Sequence, residues 1–389
     1  MFVRSFAVLI FMGMAVPAQA QEFVVESDGG DYRLQVGTVF QADEHSAFGD
    51  AAPVVDTFLV RKARIVVSTR LARYFDVKIV PDFASGAVQL PDAYFDTRFA
   101  QHFRVRIGKD KTPVGYELLM ADANGWFPER ALTSSLVPNR DLGVQAQGEL
   151  AGGRVAYGAG VFNGVADGGS SSAGIDTNGG KDVAGRVVVQ PVRGVGVHVG
   201  ASTGRETNGL PSFKTSIGQT YFSYASGTVA DGWRHRVSPA AFYFRGRFGA
   251  FAEYARSAQE VARGGVRTPV SNSSWEVSGS YALTGEDVSD RNIRPRSPFD
   301  AANRRWGALQ VLARYSSLTV DRSAFTAGVA ATGASRTAAE YTAALNWYPT
   351  NFVKWYAAYE WTCFDRTAPA PRPAGSSIIV RAQVAFQGI

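Results

Sequence analysis

From residue 32 to residue 386 the chain alternates between apolar and polar positions. Tyr32, Leu34, Val36, Thr38 and Phe40 fall on one side, with Arg33, Gln35 and Gln41 on the other. Phe75, Val77, Ile79 and Phe83 alternate with Tyr74, Asp76, Lys78 and Asp82, and Phe103, Val105 and Ile107 with Arg104 and Arg106. The same period of two runs through Trp275 to Thr284, Glu340 to Trp347 and Ile378 to Phe386. A period of two is the mark of a β-strand with two unlike faces. Many of these runs approach the ~9–11 residues that a tilted strand needs to cross a bilayer, more than the ~5–6 usual in soluble sheets. Their apolar sides begin or end on Trp, Tyr or Phe, as a lipid-facing band between aromatic girdles requires. The pattern predicts an all-β, transmembrane antiparallel β-barrel.

Turn signals divide the strands. Ala151-Gly152-Gly153, Pro191 to Gly194, Arg245-Gly246 and Tyr348 to Asn351 are short, whereas Gly164 to Gly180 and Thr367 to Ala374 read as long loops. A first count gives seventeen strands, including a weak one at Ser216 to Gly227. Bacterial barrels use an even number. Assigning Glu206 to Trp233 to one long outer loop, folded inward, leaves sixteen strands and places the short turns at one end. Gly285 to Arg305 then becomes a long connection at that same end, with no local reason for its length.

Composition narrows the class. The 389 residues include 41 Gly, 25 Phe, 15 Tyr and 7 Trp, and only 19% are charged. One cysteine, Cys363, rules out a disulfide framework and is expected to sit in a strand as a small apolar residue. Four His and one Cys leave little for a soft-metal cluster, and no metal or cofactor is expected. Residues 1–20 read as an export signal, with Arg4, an apolar Phe6 to Met14 and the small-residue cleavage pattern Ala18-Gln19-Ala20. The remainder, 21–389, is then a single barrel domain, directed to the outer membrane of a Gram-negative envelope.

The net charge is +6, and it is concentrated. Between Arg61 and Lys111 lie eleven bases and five acids. By strand parity Lys62, Arg64, Arg70, Lys78, Arg98, Arg104 and Arg106 face the lumen. Arg61 has the wrong parity and must bend inward to join them, while Lys109 and Lys111 follow Gly108, which breaks the pattern. Rings of Arg and Lys attract anions in a pore, and the planar Arg fork suits oxyanions. The competing reading is that these bases pair with Asp76, Asp82, Asp92 and Asp96 in a polar wall that any water-filled pore needs. An outer-membrane enzyme would need a nucleophile beside a positioned histidine; His45, His102, His198 and His235 stand in no such motif, so no catalytic residue is assigned. An adhesin is a further alternative. Nucleic-acid binding does not fit an exported barrel.

Several segments, in order, resemble the phosphate-selective porin O and P family: Phe58 to Ile65, Pro91 to Phe95, Arg106 to Glu117, Pro128 to Leu132, Tyr281 to Glu286, Trp306 to Ser316, Leu345 to Tyr348 and Arg381 to Phe386. The resemblance implies a sixteen-stranded outer-membrane porin, a homotrimer set in outer-membrane lipid. Its third loop would fold inward to constrict each pore, and phosphate or polyphosphate would be the solute. It adds Arg130 on that loop, expected to pair with Glu129 or a wall carboxylate. Members selective for phosphate carry a Lys on the third loop and Arg rows on the fifth. Here Met120 to Trp126 has no Lys, and Lys214 is the one base between Glu206 and Trp233. A general anion pore without a specific phosphate site is therefore the alternative.

Overall fold

The computed structural model describes residues 23–386 apart from 28, 49–55, 101, 173, 175, 177, 208 and 366–371. The expected export segment and the tail Gln387 to Ile389 lie outside the described residues. Sixteen strands form the wall. They are β1 (Tyr32–Phe48), β2 (Thr57–Leu71), β3 (Phe75–Asp82) and β4 (Gln89–Ala100); β5 (Phe103–Lys111), β6 (Arg140–Leu150), β7 (Val155–Phe162) and β8 (Asp182–Val192); β9 (Val195–Glu206), β10 (Thr228–Arg245), β11 (Phe248–Arg263) and β12 (Val266–Ala282); and β13 (Ala308–Thr319), β14 (Thr337–Tyr348), β15 (Val353–Phe364) and β16 (Gly375–Phe386). Each pairs antiparallel with its neighbours in sequence, and β16 returns to β1 with Phe386 opposite Thr38. A short strand, Phe23–Glu26, pairs with Arg33 to Val36 of β1, continuing the ladder where β16 stops. Closure leaves no open edge, so every strand's backbone groups find partners within the sheet.

Alternation sets the two surfaces. Along β10 the exposed Trp233, Val237 and Tyr243 alternate with the buried Arg234, Arg236, Ser238 and Phe242. The outer surface carries Ile65, Ile107, Val144, Val187, Val277 and Leu345 between Trp and Tyr residues, among them Tyr32, Trp275, Tyr281, Trp355 and Trp361. Cys363 lies half-buried on β15 and forms no disulfide.

The loop assigned to Glu206–Trp233 is shorter than expected. β9 runs through Glu206 and β10 begins at Thr228, because Thr228 to Ala230 and Arg234 to Val237 still pair with β11 across an irregular register. The weak candidate strand does belong to the connection: Thr220–Phe222 forms a small hairpin with Phe213–Lys214. At the opposite face of the expectation, β11 and β12 meet in a two-residue turn on the otherwise long-loop end. Gly264 and Gly265 both have positive φ there (59° and 81°), the backbone that a two-residue hairpin with primed geometry requires.

The interior departs from a simple polar lining. Phe242, Phe244, Phe251, Tyr348 and Tyr356 are buried inward on β10, β11, β14 and β15. They pack against the 112–139 connection: Trp126 meets Phe244 and Phe251 edge-on at 5.7 and 5.2 Å, and Tyr116 stacks on Phe242 at 5.3 Å. The 283–307 connection closes this second core. Val288 and Ile293 are buried in it. The Trp126 indole donates to the Ser289 carbonyl at 3.2 Å, and the Asn292 amide donates to the Ala123 carbonyl at 2.9 Å. Its length has this tertiary reason, since it supports 112–139 from the short-turn end.

Trp126→Ala should cost about 3–5 kcal/mol locally, the usual loss for a buried aromatic, and leave the strand ladder intact. Limited proteolysis should then cut within 112–139 faster than in the wild type, while the barrel keeps its resistance to unfolding in cold detergent. Unchanged cleavage would show that the indole does not hold this connection.

Candidate functional site

Two unlike walls hold the connection between β5 and β6. On β11 to β15 carboxylates do the holding. Glu253 accepts the Tyr116 and Glu117 N–H groups at 2.9 and 2.8 Å, and Glu276 accepts the Thr133 hydroxyl at 2.9 Å. Glu340 accepts the Ser216 N–H at 2.9 Å, and the Ser216 hydroxyl donates to Glu360, which fixes 207–227 as well. The amides of Asn346 and Gln383 and the Lys354 ammonium donate to the carbonyls of Trp126, Ala123 and Gly125. All these wall residues are buried.

The facing wall is basic, and its bases converge on one carboxylate. Asp122 lies on the 112–139 connection. Its Oδ1 receives Arg130 at 2.7 Å and Lys111 at 3.2 Å. Its Oδ2 receives Arg64 at 2.5 Å, Lys62 at 3.2 Å and Arg140 at 3.3 Å. Glu129 takes a two-pronged contact from Arg61 at 2.8 and 2.9 Å and a third from Arg381 at 2.8 Å. Arg381 also forks onto Asp43 at 2.7 and 2.6 Å and donates to the Pro128 carbonyl. Arg130 therefore pairs with Asp122, and its expected partner Glu129 is taken by Arg61 and Arg381.

Local backbone explains which bases reach this point. Gln41 pairs with Lys62 and Ala42 with Val60, so Arg61 is the extra residue of a β-bulge. A bulge redirects a side chain without changing its neighbours, which brings Arg61 and Lys62 to the same side despite their parity. At Gly108 φ is +127°, and a Cβ there would stand 2.3 Å from the Ala93 carbonyl oxygen. That glycine lets β5 approach β4 closely and resets the alternation, so Lys109 is buried and Lys111 reaches Asp122 and the Met120 carbonyl.

The remaining expected bases pair elsewhere on the same wall. Arg70 and Arg98 share Asp76, at 3.0 Å for Arg70. Arg106 forks onto Asp96 at 2.7 Å, contacts Asp110 and lies over the Tyr94 ring at 3.6 Å. Arg104 reaches Asp96 at 3.8 Å. Arg64 also binds Asp82 at 2.7 Å, and Arg140 binds Asp92 at 2.6 Å. Asp76, Asp82, Asp92 and Asp96 thus all hold bases, as the polar-wall reading expects. No ion pair engages Lys78 or Lys109 among the described residues. Arg140 and Arg381 join the site without having been chosen as candidates, and so does Lys214, noted only as the one base of its loop; Arg381 lies on an alternating strand, whereas Lys214 had no strand pattern to place it. Asp43, His45 and Glu129 bring ligand atoms within 4.8 Å of one another, but Arg381 and Arg61 already claim both carboxylates.

Between the two walls lies a cavity of about 420 Å³, lined by Arg61, Lys62, Arg64, Arg130, Arg140, Lys214 and Arg381 together with Glu117, Asp122 and Glu129. A family model of phosphate-selective porins O and P matches residues 35–386. The chain belongs to that family. It is an outer-membrane porin. No curated protein sequence matches the porin significantly. Its fold is similar to that of an anion-selective porin from Comamonas acidovorans (TM-score 0.59, 11% identity, 91% of this chain and 100% of that one). It is also similar to Salmonella typhi OmpF in complex with daunomycin (0.61, 14%, 93% and 100%) and to the trimer form of Vibrio cholerae OmpT (0.56, 12%, 91% and 99%). At such identities these structures show the shared fold alone.

Burial works to raise the Asp122 carboxyl, but the charges of Lys111, Lys62, Arg140 and Arg130 outweigh it and hold the group well below the usual range. Glu129 is held low in the same way, burial being overcome by Arg61 and Arg381. A carboxyl depressed on folding contributes stability above its unfolded value and loses it only as pH falls through the folded one. At about pH 4, near the ordinary aspartate value, Asp122 should still be ionised. The infrared difference between wild type and Asp122→Asn should then contain carboxylate bands; a protonated-acid band at that pH would contradict the five-base contact.

Proposed function

We propose that this porin lets small anions, oxyanions of the phosphate class among them, cross the outer membrane by passive diffusion, with weak binding at the constriction. Seven bases against three carboxylates around the cavity carry the reading. Fixed positive charge replaces part of an anion's hydration, and release requires that no single contact be tight. The 112–139 connection, held on both sides of the lumen, sets the constriction, and 207–227 brings Lys214 over it. The bases at Arg61, Lys62, Arg64, Lys111 and Arg130 act at the narrow part; Arg70, Lys78, Arg98, Arg104, Arg106 and Lys109 extend the basic wall. The general-pore alternative gains support from the pairing of nearly every base with a protein carboxylate, which leaves no vacant nest for tight phosphate. No covalent step belongs to this reading, and residues 1–20 serve as the removed export signal.

We also infer a homotrimer. Trp233, Trp275, Trp306, Trp355 and Trp361 are exposed on the outer surface, all at or after β10. The surface of β1 to β9 has no Trp, exposes Tyr32 and Tyr74 only at strand ends, and between them offers Phe, Val and Ile, including the stacked Phe75–Phe95 pair. Trp and Tyr mark a lipid boundary, so the Trp-free side suits contact with other subunits.

In a potassium chloride gradient the reversal potential should show anion preference, and added inorganic phosphate should lower the chloride current only in the millimolar range. Lys214→Glu should move the reversal potential toward cations; cation preference in the wild type would overturn the reading. A photo-crosslinking side chain at Phe95 should yield adducts at multiples of the chain mass, whereas one at Val277 should not; equal yields would place the subunit contact elsewhere.

A further inference from the structure

We propose that Asp122 is a built-in counter-ion occupying a latent site for a tetrahedral oxyanion, and that it sets how tightly this porin holds its solute. The inference rests on the anion-preferring reading above and goes on to assign what limits its affinity. Five bases from three separate stretches, Lys62 and Arg64 of β2, Lys111 of β5, and Arg130 with Arg140 at the far end of the connection, converge on one carboxylate within 2.5–3.3 Å. A carboxylate has two oxygens with about four acceptor positions, so five cationic donors exceed what it can satisfy. A phosphate dianion carries more oxygens and more charge, and three of the five donors are guanidiniums whose forks match it.

The surroundings support the same assignment. Asp122 lies at the cavity edge, in a space lined by four of those five bases. Two of the bases have second carboxylates behind them, Asp82 for Arg64 and Asp92 for Arg140. Among the described residues Lys62, Lys111 and Arg130 form ion pairs with no carboxylate but Asp122. Asp122 is therefore what neutralises them, in the position where an incoming anion would have to bind. An entering oxyanion competes with a tethered carboxylate that never leaves, which keeps affinity low and exit fast.

The test uses the full-length porin in planar bilayers, with inorganic phosphate titrated against chloride current. Asp122→Ala should be half-blocked at a phosphate concentration at least ~10-fold lower than the wild type, the factor supplied by one additional charge-assisted contact. Asp122→Asn, of nearly equal volume, should show the same direction. Equal block in wild type and a conducting variant would overturn the inference. Should the variants fold poorly, inorganic phosphate in the refolding buffer should restore the barrel, since a ligand that binds only the folded state stabilises it by mass action; absence of rescue would equally overturn it. The wild-type reversal potential separates the two claims. Cation preference there defeats the proposed function itself, whereas anion preference with unaltered block in the variants defeats only the role of Asp122.

Discussion

In hydrocarbon there is no water to receive a backbone hydrogen bond, and an unsatisfied amide costs several kcal/mol. Everything else in this molecule follows from that constraint. The strands must close on themselves, and the last of them, Gly375–Phe386, pairs with the first, Tyr32–Phe48. Closure gives each strand one face toward lipid and one toward the lumen. Valine, leucine and aromatic residues then gather outside, and arginine, glutamate and serine gather inside.

A ring of sixteen strands encloses more space than its own side chains fill. The 112–139 connection takes up part of it by two different kinds of contact. Toward β10 to β15 it is sealed by Trp126, Phe127 and Tyr116 in an apolar cluster with the wall aromatics, by the buried Glu253, which accepts two of its backbone N–H groups, and by Glu276, which accepts the Thr133 hydroxyl. Toward β2 to β6 it meets the wall chiefly through ion pairs, with Ala123 packed on Val66 and Val80 and Lys111 donating to the Met120 carbonyl. The charged contacts thus border the open cavity, where water and ions can reach them, while the apolar ones are shut away. Removing one member of such a buried pair is costlier than the pair is stabilising, so the carboxylates on 112–139 are held as firmly as the bases that surround them.

Much of the barrel was legible because strand alternation is a local property. Strand number, the inward parity of Lys62, Arg64 and Arg106, and the odd position of Gly285 to Arg305 were all visible in the order of residues. Three features were not. Arg61 faces inward through a bulge that depends on how β1 and β2 register. Lys214 reaches the cavity because 207–227 is pinned to Glu340 and Glu360, more than a hundred residues away. Phe242, Phe244 and Phe251 broke the polar-lumen rule for a reason outside their strands, namely the connection that packs on them.

The sequence by itself determined a closed barrel with a lipid-facing outside and a basic stretch before its longest inward connection, because a period of two and a charge count need no knowledge of distant contacts. Which base meets which acid was decided by the tertiary structure. Asp122 reads as one acid in a turn, and only the folding of its connection between β2, β5 and β6 places Lys62, Arg64, Lys111, Arg130 and Arg140 around it. Arg64 lies 58 residues from Asp122 in the chain and Arg381 lies 338 from Asp43, and nothing local in the chain records those distances.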